Sequence, residues 1–347
     1  MAKKGKSDVE DPKQAESRKK DHIELAFKSS LEKSEMDDRF YYEPMLSGHP
    51  HSTQASSFDF AGKKMKVPIW VSSMTGGTEM AAIINENLCR ACAEFGMGFG
   101  LGSCRSLLEG NTKRLSDFDF REVIGQEAPF YANLGIAQLE ETIGKGNFNQ
   151  IEDLVGLLRA DGLIVHVNPL QEALQPEGDR FKKSPLETIQ VLLSKTKLRL
   201  IVKEVGQGFG RESMRALLQL PLQAIEFAAH GGTNFSKLEL LRSDEYRKNT
   251  FAPLSRVGHT VGEMVVSANA LKRELGDSCL TNEIIVSGGV KDYLDGYFYV
   301  NKSQFKTVYG QASGFLKYAR GDYESLKKHV QSQIEGYKLA ESFLRIK

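Results

Sequence analysis

Eight short apolar segments, most of them separated by helical patterns, restrict the fold of this chain more than any other feature. Each is rich in β-branched or aromatic residues, as in a strand buried on both faces. Strand–helix alternation predicts right-handed βαβ units and a parallel sheet. The segments are VPIWVSSM (67–74), GFGLGS (98–103), FYANLG (130–135), GLIVHVNP (162–169), LRLIVKEVG (198–206), AIEFAA (224–229), EIIVSGG (283–289) and FKTVYGQA (305–312).

Eight such repeats over roughly 250 residues predict an α/β fold of the (β/α)8 TIM-barrel type. The alternative is an open doubly wound sheet, whose first turn carries the pattern G-x-G-x-x-G. GMGFGLG (96–102) has glycine at every second position, which is a different spacing. The barrel is therefore favoured.

Composition excludes several classes of protein. The 347 residues include 46 basic and 45 acidic side chains, a net charge of +1, which disfavours a nucleic-acid partner. No apolar run approaches the roughly 18 residues of a membrane span, and the polar N-terminus does not resemble a secretory signal. Four cysteines make no disulfide framework, so we expect a cytoplasmic protein. Residues 1–17 predict a disordered tail, and residues 18–347 a single barrel domain.

Each apolar segment ends in, or is followed at once by, polar residues and glycines. In a barrel these positions are the C-terminal strand ends, which meet at one mouth, where barrel active sites lie. Packing alone explains such a set poorly, because a buried polar group is costly without a partner. The set includes Ser73, Met74, Thr75, Ser103, Asn133, His166, Asn168, Lys203, Thr233, Gly288, Gly289, Ala312 and Ser313.

The last two strand ends predict a phosphate site. SGG (287–289) and GQAS (310–313) offer glycine backbone whose N–H groups face an anion, although ordinary glycine turns are the alternative. The segment HVNPLQEALQPEGDR (166–180) adds amides and the carboxylate of Glu172, an oxygen ligand suited to Mg²⁺. A structural loop of the same composition is the other interpretation.

The cations each have two or more interpretations. Lys203 ends a buried strand and needs an anionic or electron-rich partner; a Schiff-base role, or an ion pair with Glu204 or another carboxylate, also fits. Arg105 follows a strand end and suits phosphate recognition. Three further cations precede the barrel, and a solvated surface is the alternative for them: Arg18, Lys19 and His22.

Eight motifs, in order along the chain, resemble type 2 isopentenyl diphosphate isomerase, the FMN-dependent family. They extend over about residues 18–320, nearly the whole predicted folded region. The motifs are RKKDH (18–22), SSMTGG (72–77), GLGSCRS (100–106), YANLG (131–135), VHVNPLQEALQPEGD (165–179), IVKEVGQG (201–208), HGGTNFSKLE (230–239) and SGGVKD (287–292).

The resemblance implies an FMN-binding barrel that interconverts isopentenyl and dimethylallyl diphosphates in isoprenoid biosynthesis. It also implies Mg²⁺, NADPH to keep FMN reduced, and a homo-oligomer of four or eight subunits. The implied FMN contacts are Ser73, Met74, Thr75, Ser103, Asn133, Lys203, Thr233, Gly288, Gly289, Ala312 and Ser313. The implied substrate contacts are Arg18, Lys19, His22, Ser103, Arg105, His166, Asn168 and Gln171. Glu172 is the implied Mg²⁺ ligand, and Gln171 and Lys203 are the implied catalytic residues.

The mechanism is a hypothesis built on that resemblance. Isomerisation adds a proton at C4 and removes one from C2, with no net redox change. An electron-rich reduced flavin would stabilise the developing positive charge and act as acid/base for at least one proton. Gln171 would orient or assist, and Lys203 would stabilise the anionic ring.

Three positions depart from the family pattern, namely Ala228, Cys104 and the segment RVGHT (256–260). They put local flavin contacts in doubt. The alternative enzyme is an FMN-dependent 2-hydroxy-acid oxidase or dehydrogenase, which needs a histidine base near an arginine. His259 and Arg256 are the nearest such pair, in a poorly fitting context. A barrel that binds flavin or phosphate without catalysis is a further alternative.

Overall fold

The computed structural model describes residues 12–50, 57–74 and 79–347. Its contacts divide the chain into two compact units, Met1–Tyr41 with Lys347, and Tyr42–Ile346. In the first unit, helix α1 (Pro12–Leu25) begins six residues before the expected start at Arg18. Residues 1–11 of the predicted tail lie outside the described residues, so disorder there stays a prediction.

The second unit is built on a closed barrel of eight parallel strands, in the order β10-β11-β4-β5-β6-β7-β8-β9. All eight apolar segments contribute one strand each, so the predicted (β/α)8 barrel is confirmed. The strands are β1 (Phe40–Tyr42), β2 (Phe58–Phe60), β3 (Lys63–Met65), β4 (Ile69–Val71), β5 (Gly98–Gly100), β6 (Phe130–Gly135), β7 (Gly162–His166), β8 (Leu200–Lys203), β9 (Ala224–Glu226), β10 (Glu283–Ser287), β11 (Lys306–Gln311) and β12 (Leu344–Ile346).

Helices connect the barrel strands, as the right-handed crossover rule requires. Short 3₁₀ turns occupy Ala26–Lys28, Lys33–Glu35, Thr112–Asp117, Leu254–Arg256 and Gly276–Ser278. The remaining helices are α2 (Glu79–Phe95), α3 (Arg105–Leu108), α4 (Arg121–Ile124), α5 (Ile136–Gly144), α6 (Phe148–Leu157), α7 (Pro169–Leu174), α8 (Pro185–Lys195), α9 (Arg211–Leu218), α10 (Phe235–Arg242), α11 (Glu245–Phe251), α12 (Val261–Leu275), α13 (Tyr293–Lys302), α14 (Ser313–Ala319) and α15 (Tyr323–Phe343). None of the described helices is both long and apolar enough to cross a membrane.

Apolar side chains fill the barrel, and a hairpin closes its N-terminal end. The antiparallel pair β2–β3 contributes Phe60 and Met65 to this core. The Tyr131 hydroxyl donates to the Ala61 carbonyl at 2.9 Å, and the Ala61 N–H donates to Glu283 Oε2 at 2.8 Å. The interior below the mouth is therefore closed, which leaves the C-terminal end as the open side.

A buried ion pair fastens the start of β6. Arg121 is 1% exposed, and its Nη2 donates to Asp161 Oδ2 at 2.8 Å. The Asp161 carboxylate also accepts the Phe130 N–H at 2.9 Å and pairs with Lys63 at 3.3 Å. The Arg121 guanidinium donates to the carbonyls of Arg159 and Gly125 as well. The guanidinium thus joins α4 to the residue that follows it and to the loop between α6 and β7.

Replacing Arg121 with Met should lower the free energy of unfolding by about 3 kcal/mol, because it leaves part of the charge of Asp161 uncompensated at a buried site. Arg211→Met is the matched control: its ion pair with Glu274 is on the surface, so its loss should cost at most about 1 kcal/mol. Urea unfolding of the three proteins measures both effects. Equal losses in the two variants would show that the buried pair has no special role.

Candidate active site

The interior side chains become polar or glycine two residues beyond the apolar core. Because side chains on a strand alternate between faces, the second residue along again points inward. We call these second residues the mouth layer. The core and mouth-layer pairs are Trp70 and Ser72, Tyr131 and Asn133, Ile164 and His166, Ile201 and Lys203, Ala224 and Glu226, Ile285 and Ser287, and Val308 and Gly310.

A cavity of about 320 Å³ lies at the mouth layer, at the C-terminal ends of β4 and β8–β11. It brings together seven of the residues that the resemblance implies as flavin contacts. The seven are Ser73, Lys203, Thr233, Gly288, Gly289, Ala312 and Ser313.

Glycines line the side of the cavity formed after β9 and β10. Gly288 and Gly289 have φ values of +86° and +77°, a backbone conformation that favours glycine. A Cβ on Gly288 would lie 2.1 Å from the Ala229 carbonyl oxygen, and one on Gly232 would lie 3.0 Å from Gly288 Cα. The two glycine turns therefore pack backbone against backbone, leaving a wall without side chains.

Four polar atoms at the cavity have no hydrogen-bond partner among the described residues. They are buried, and a buried polar atom without a partner is costly. A ligand that filled the cavity could supply the hydrogen-bond donors and acceptors that these four atoms lack. The atoms are Ser72 Oγ, Ser73 Oγ, Glu226 Oε2 and Gln311 Oε1.

Lys203 is 7% exposed, and its Nζ donates to the backbone carbonyl of Glu204 at 2.9 Å. The Glu204 carboxylate instead accepts the N–H groups of the next loop, including Gly206 at 2.7 Å and Gln207 at 2.6 Å. The ion pair between Lys203 and Glu204, one of the alternatives from sequence, is therefore absent from this geometry. The ammonium group is left to face the cavity.

His166 and Asn133 form a hydrogen-bonded pair beside Lys203. His166 Nδ1 lies 2.7 Å from Asn133 Oδ1, and Asn133 Nδ2 donates to the Leu101 carbonyl at 3.0 Å. Since an amide oxygen only accepts, Nδ1 carries the imidazole proton. Burial and the charge of Lys203 lower the pKa of His166 to about 4. His166 is thus neutral at pH 7.

A second polar network lies on the loop after β7. Asn168 Nδ2 donates to Gln171 Oε1 at 3.1 Å and to Glu172 Oε1 at 2.9 Å. Gln171 Nε2 donates to Glu239 Oε1 at 3.2 Å, and Arg242 pairs with Glu239 Oε2 at 2.7 Å. Both ends of the Gln171 amide are therefore fixed. The network joins α7, which follows β7, to α10, which follows β9.

Glu172 and Arg105 are linked through Asp179. The Asp179 N–H donates to Glu172 Oε2 at 2.8 Å, and its carboxylate pairs with Arg105 at 3.2 Å. Arg105 also pairs with Glu109 at 2.7 Å. Ser103, the other predicted contact after β5, is exposed. Within the described ranges, no three His, Cys, Asp or Glu side chains converge as a metal site.

The structure does not test the site contacts predicted for five residues. Arg18, Lys19 and His22 are exposed on α1, in the other compact unit. Thr75 lies outside the described residues, and Met74 is half-buried after β4. Their predicted contacts stay predictions.

Two functional candidates escaped the sequence analysis, Glu226 and Glu239. Both are almost completely buried, at 0% and 3% exposure. The alternation that places Lys203 two residues after Ile201 also places Glu226 two residues after Ala224, and this signal could have revealed it. Glu239 is the last residue of the motif HGGTNFSKLE (230–239), but only the folded chain shows that it contacts Gln171.

The departures from the family pattern have local explanations. Cys104 is fully buried, and burial raises the pKa of its thiol to about 12, so it is not a reactive thiolate. Ala228 has φ +42° at the bend after β9, and its N–H donates to Ser287 Oγ at 3.0 Å. His259 and Arg256 are both exposed and do not line the mouth cavity.

Comparison with solved structures agrees with the barrel. The flavin-binding domain of baker's yeast flavocytochrome b2 aligns with a TM-score of 0.56 at 14% identity, covering 88% of this chain and 72% of that one. A mandelate oxidase variant with an FMN adduct aligns with a TM-score of 0.53 at 12% identity, covering 89% and 88%. At such identities the likeness shows the fold alone.

No protein-family model matches the chain, but curated relatives do. Isopentenyl-diphosphate delta-isomerase of Rickettsia felis is 32% identical over 328 residues, which cover 93% of this chain and 90% of that protein. The protein of the same name from Rickettsia typhi is 29% identical over 344 residues, covering 98% and 94%. With similarity along nearly the whole of both chains, this protein belongs to the isopentenyl-diphosphate delta-isomerase family.

Proposed function

We propose that this protein is a type 2, flavin-dependent isopentenyl-diphosphate delta-isomerase of isoprenoid biosynthesis. The observation that carries the proposal is the mouth cavity, where glycine backbone and unpartnered buried polar atoms face Lys203. A phosphate-bearing heterocycle supplies what those atoms lack. The family supplies the reaction, interconversion of isopentenyl and dimethylallyl diphosphates.

The cavity fits FMN by the chemistry of its walls. The glycine wall at Gly288 and Gly289 would hold the phosphate with backbone N–H groups. Ser73, Thr233, Ala312 and Ser313 complete that side. Lys203 would lie against the ring, where an ammonium favours the anionic reduced form. When bound, reduced FMN would supply an electron-rich face and exchangeable protons to the alkene.

The loop after β7 fits Mg²⁺ and a diphosphate. Glu172 offers a carboxylate, and the buried Asn168 Oδ1 has no partner among the described residues. Magnesium is commonly held by one or two carboxylates together with substrate phosphates, so one protein carboxylate suffices. Arg105 and His166 would bind diphosphate oxygens, His166 after taking up a proton.

The chain's own catalytic contribution is positioning. Asn168 and Glu239 hold the two ends of the Gln171 amide, so its orientation is fixed before substrate binds. Glu239, held by Arg242, is a buried carboxylate one hydrogen bond from Gln171. The loops that contribute these side chains would also exclude water from the allylic carbons.

Other features of the proposal rest on the family resemblance alone. They are NADPH as the reductant, contacts to the diphosphate from Arg18, Lys19 and His22, and a homo-oligomer of four or eight subunits. The same resemblance and the composition support a cytoplasmic enzyme with a small diphosphate substrate and no nucleic-acid or membrane partner.

Turnover of isopentenyl diphosphate in D₂O, with FMN and dithionite, tests the proposed function. We expect dimethylallyl diphosphate with deuterium in a methyl group, since a solvent-exchangeable proton is added at C4. Mass spectrometry of the product measures this, and protein without FMN is the control. Product formed without deuterium would overturn the proton-transfer scheme, and oxidation of lactate with flavin reduction would favour the oxidase instead.

Glu172→Gln should raise the Mg²⁺ concentration needed for half-maximal turnover by about 10–100-fold, the effect of losing a metal-site partner. Glu177→Gln is the matched control, because Glu177 is exposed in the loop that follows α7, the helix of Glu172, and pairs with Arg242 at 3.4 Å. Its Mg²⁺ requirement should not change. Identical Mg²⁺ curves for the wild type and Glu172→Gln would remove Glu172 from the site.

A further inference from the structure

Glu226 is a fully buried carboxyl group that the proposed mechanism does not use. It ends β9, is 0% exposed, and lines the mouth cavity. Its register partner on β8 is Lys203, so the two side chains point into the barrel side by side. A buried acidic side chain without a paired cation is rare in proteins. Its presence beside the cavity therefore needs a reason.

The hydrogen bonds of Glu226 are half complete. The Ala228 N–H donates to Ser287 Oγ at 3.0 Å, and the Ser287 hydroxyl donates to Glu226 Oε1 at 3.1 Å. Glu226 Oε2 is buried and has no partner among the described residues. Lys203 does not fill this role: its Nζ donates to the Glu204 carbonyl at 2.9 Å, and among the described residues it forms no hydrogen bond or ion pair with Glu226 Oε2. A ligand in the cavity could therefore donate a hydrogen bond to Glu226 Oε2.

Charge decides which part of FMN can supply that donor; this step rests on the proposed function. The phosphate is an anion and would be repelled by Glu226. The reduced ring is an anion too, and it has Lys203 for a partner. The ribityl chain is neutral and carries several hydroxyl donors. Hydroxyl donors suit a carboxylate acceptor without repulsion.

Strand order agrees with this assignment. Lys203, which would face the ring, is on β8, and Gly288 and Gly289, which would hold the phosphate, follow β10. Strand β9 lies between them, as the ribityl chain lies between ring and phosphate. We propose that Glu226 is a positioning residue that accepts a hydrogen bond from a ribityl hydroxyl through Oε2.

The test compares two ligands, FMN and an analogue whose phosphate and flavin ring are joined by a pentyl chain without hydroxyls. Flavin fluorescence gives the dissociation constant of each for the wild type, Glu226→Leu and Glu226→Gln. We expect Glu226→Leu to weaken FMN binding about 10–100-fold, as for loss of a hydrogen bond to a charged group. Glu226→Gln, which keeps a weaker neutral hydrogen bond, should weaken it about threefold to tenfold. Affinity for the analogue should change less than about twofold.

Glu283→Gln is the matched control, a largely buried glutamate at the opposite end of the barrel, and it should bind both flavins like the wild type. If Glu226→Leu does not fold, Glu226→Gln tests the proposal instead, through its loss of affinity for FMN relative to the analogue. Equal weakening of both flavins, or unchanged FMN affinity, would overturn the role of Glu226 while the proposed function stands. A wild-type protein that binds no FMN would overturn both.

Discussion

The alternation of side chains along eight strands that close on themselves is the constraint on which the rest of the structure depends. The inward-facing residues of the eight strands form layers across the barrel. Such a layer is either apolar, or its buried polar groups need hydrogen-bond partners within the barrel or from a ligand. The apolar layer around Trp70 and Ile201 holds the barrel together. Two residues further along, the same geometry places polar residues or glycine on seven of the eight strands at the mouth.

The polar groups at the mouth are only partly hydrogen-bonded to one another. Some members satisfy each other, as His166 and Asn133 do. Others, such as Gln311 Oε1, are buried with no partner among the described residues, and they face one cavity. Stability alone does not favour unpaired buried atoms, because each costs about 1–3 kcal/mol. A bound group that carries both charge and hydroxyls would recover this cost, which links the folding problem to the proposed cofactor.

Much of the fold could be predicted from the sequence, because strand identity is encoded locally. FYANLG (130–135) is a strand over its whole length, whereas the segment at 67–74 yields only Ile69–Val71. The two segments differ because the polar residues at the end of 67–74 leave the strand pairing and form part of the barrel mouth. Helix α1 begins at Pro12, before the expected start at Arg18, since proline is well tolerated in the first turn of a helix.

The site was predictable only in part. Residues that interrupt an apolar run, such as Lys203, are visible in the sequence. The role of Glu239 cannot be read from the sequence, because it depends on a contact with Gln171, which lies 68 residues away along the chain. Nor could the sequence separate the two oxygens of Glu226, of which one is satisfied by Ser287 and the other is not.

A crystal structure of the protein with FMN tests the central claim most directly. The account predicts a flavin in the mouth cavity, with its phosphate on the glycine wall of Gly288 and Gly289 and its ring against Lys203. Flavin bound at any other place, or a cavity that stays empty at saturating FMN, would contradict it.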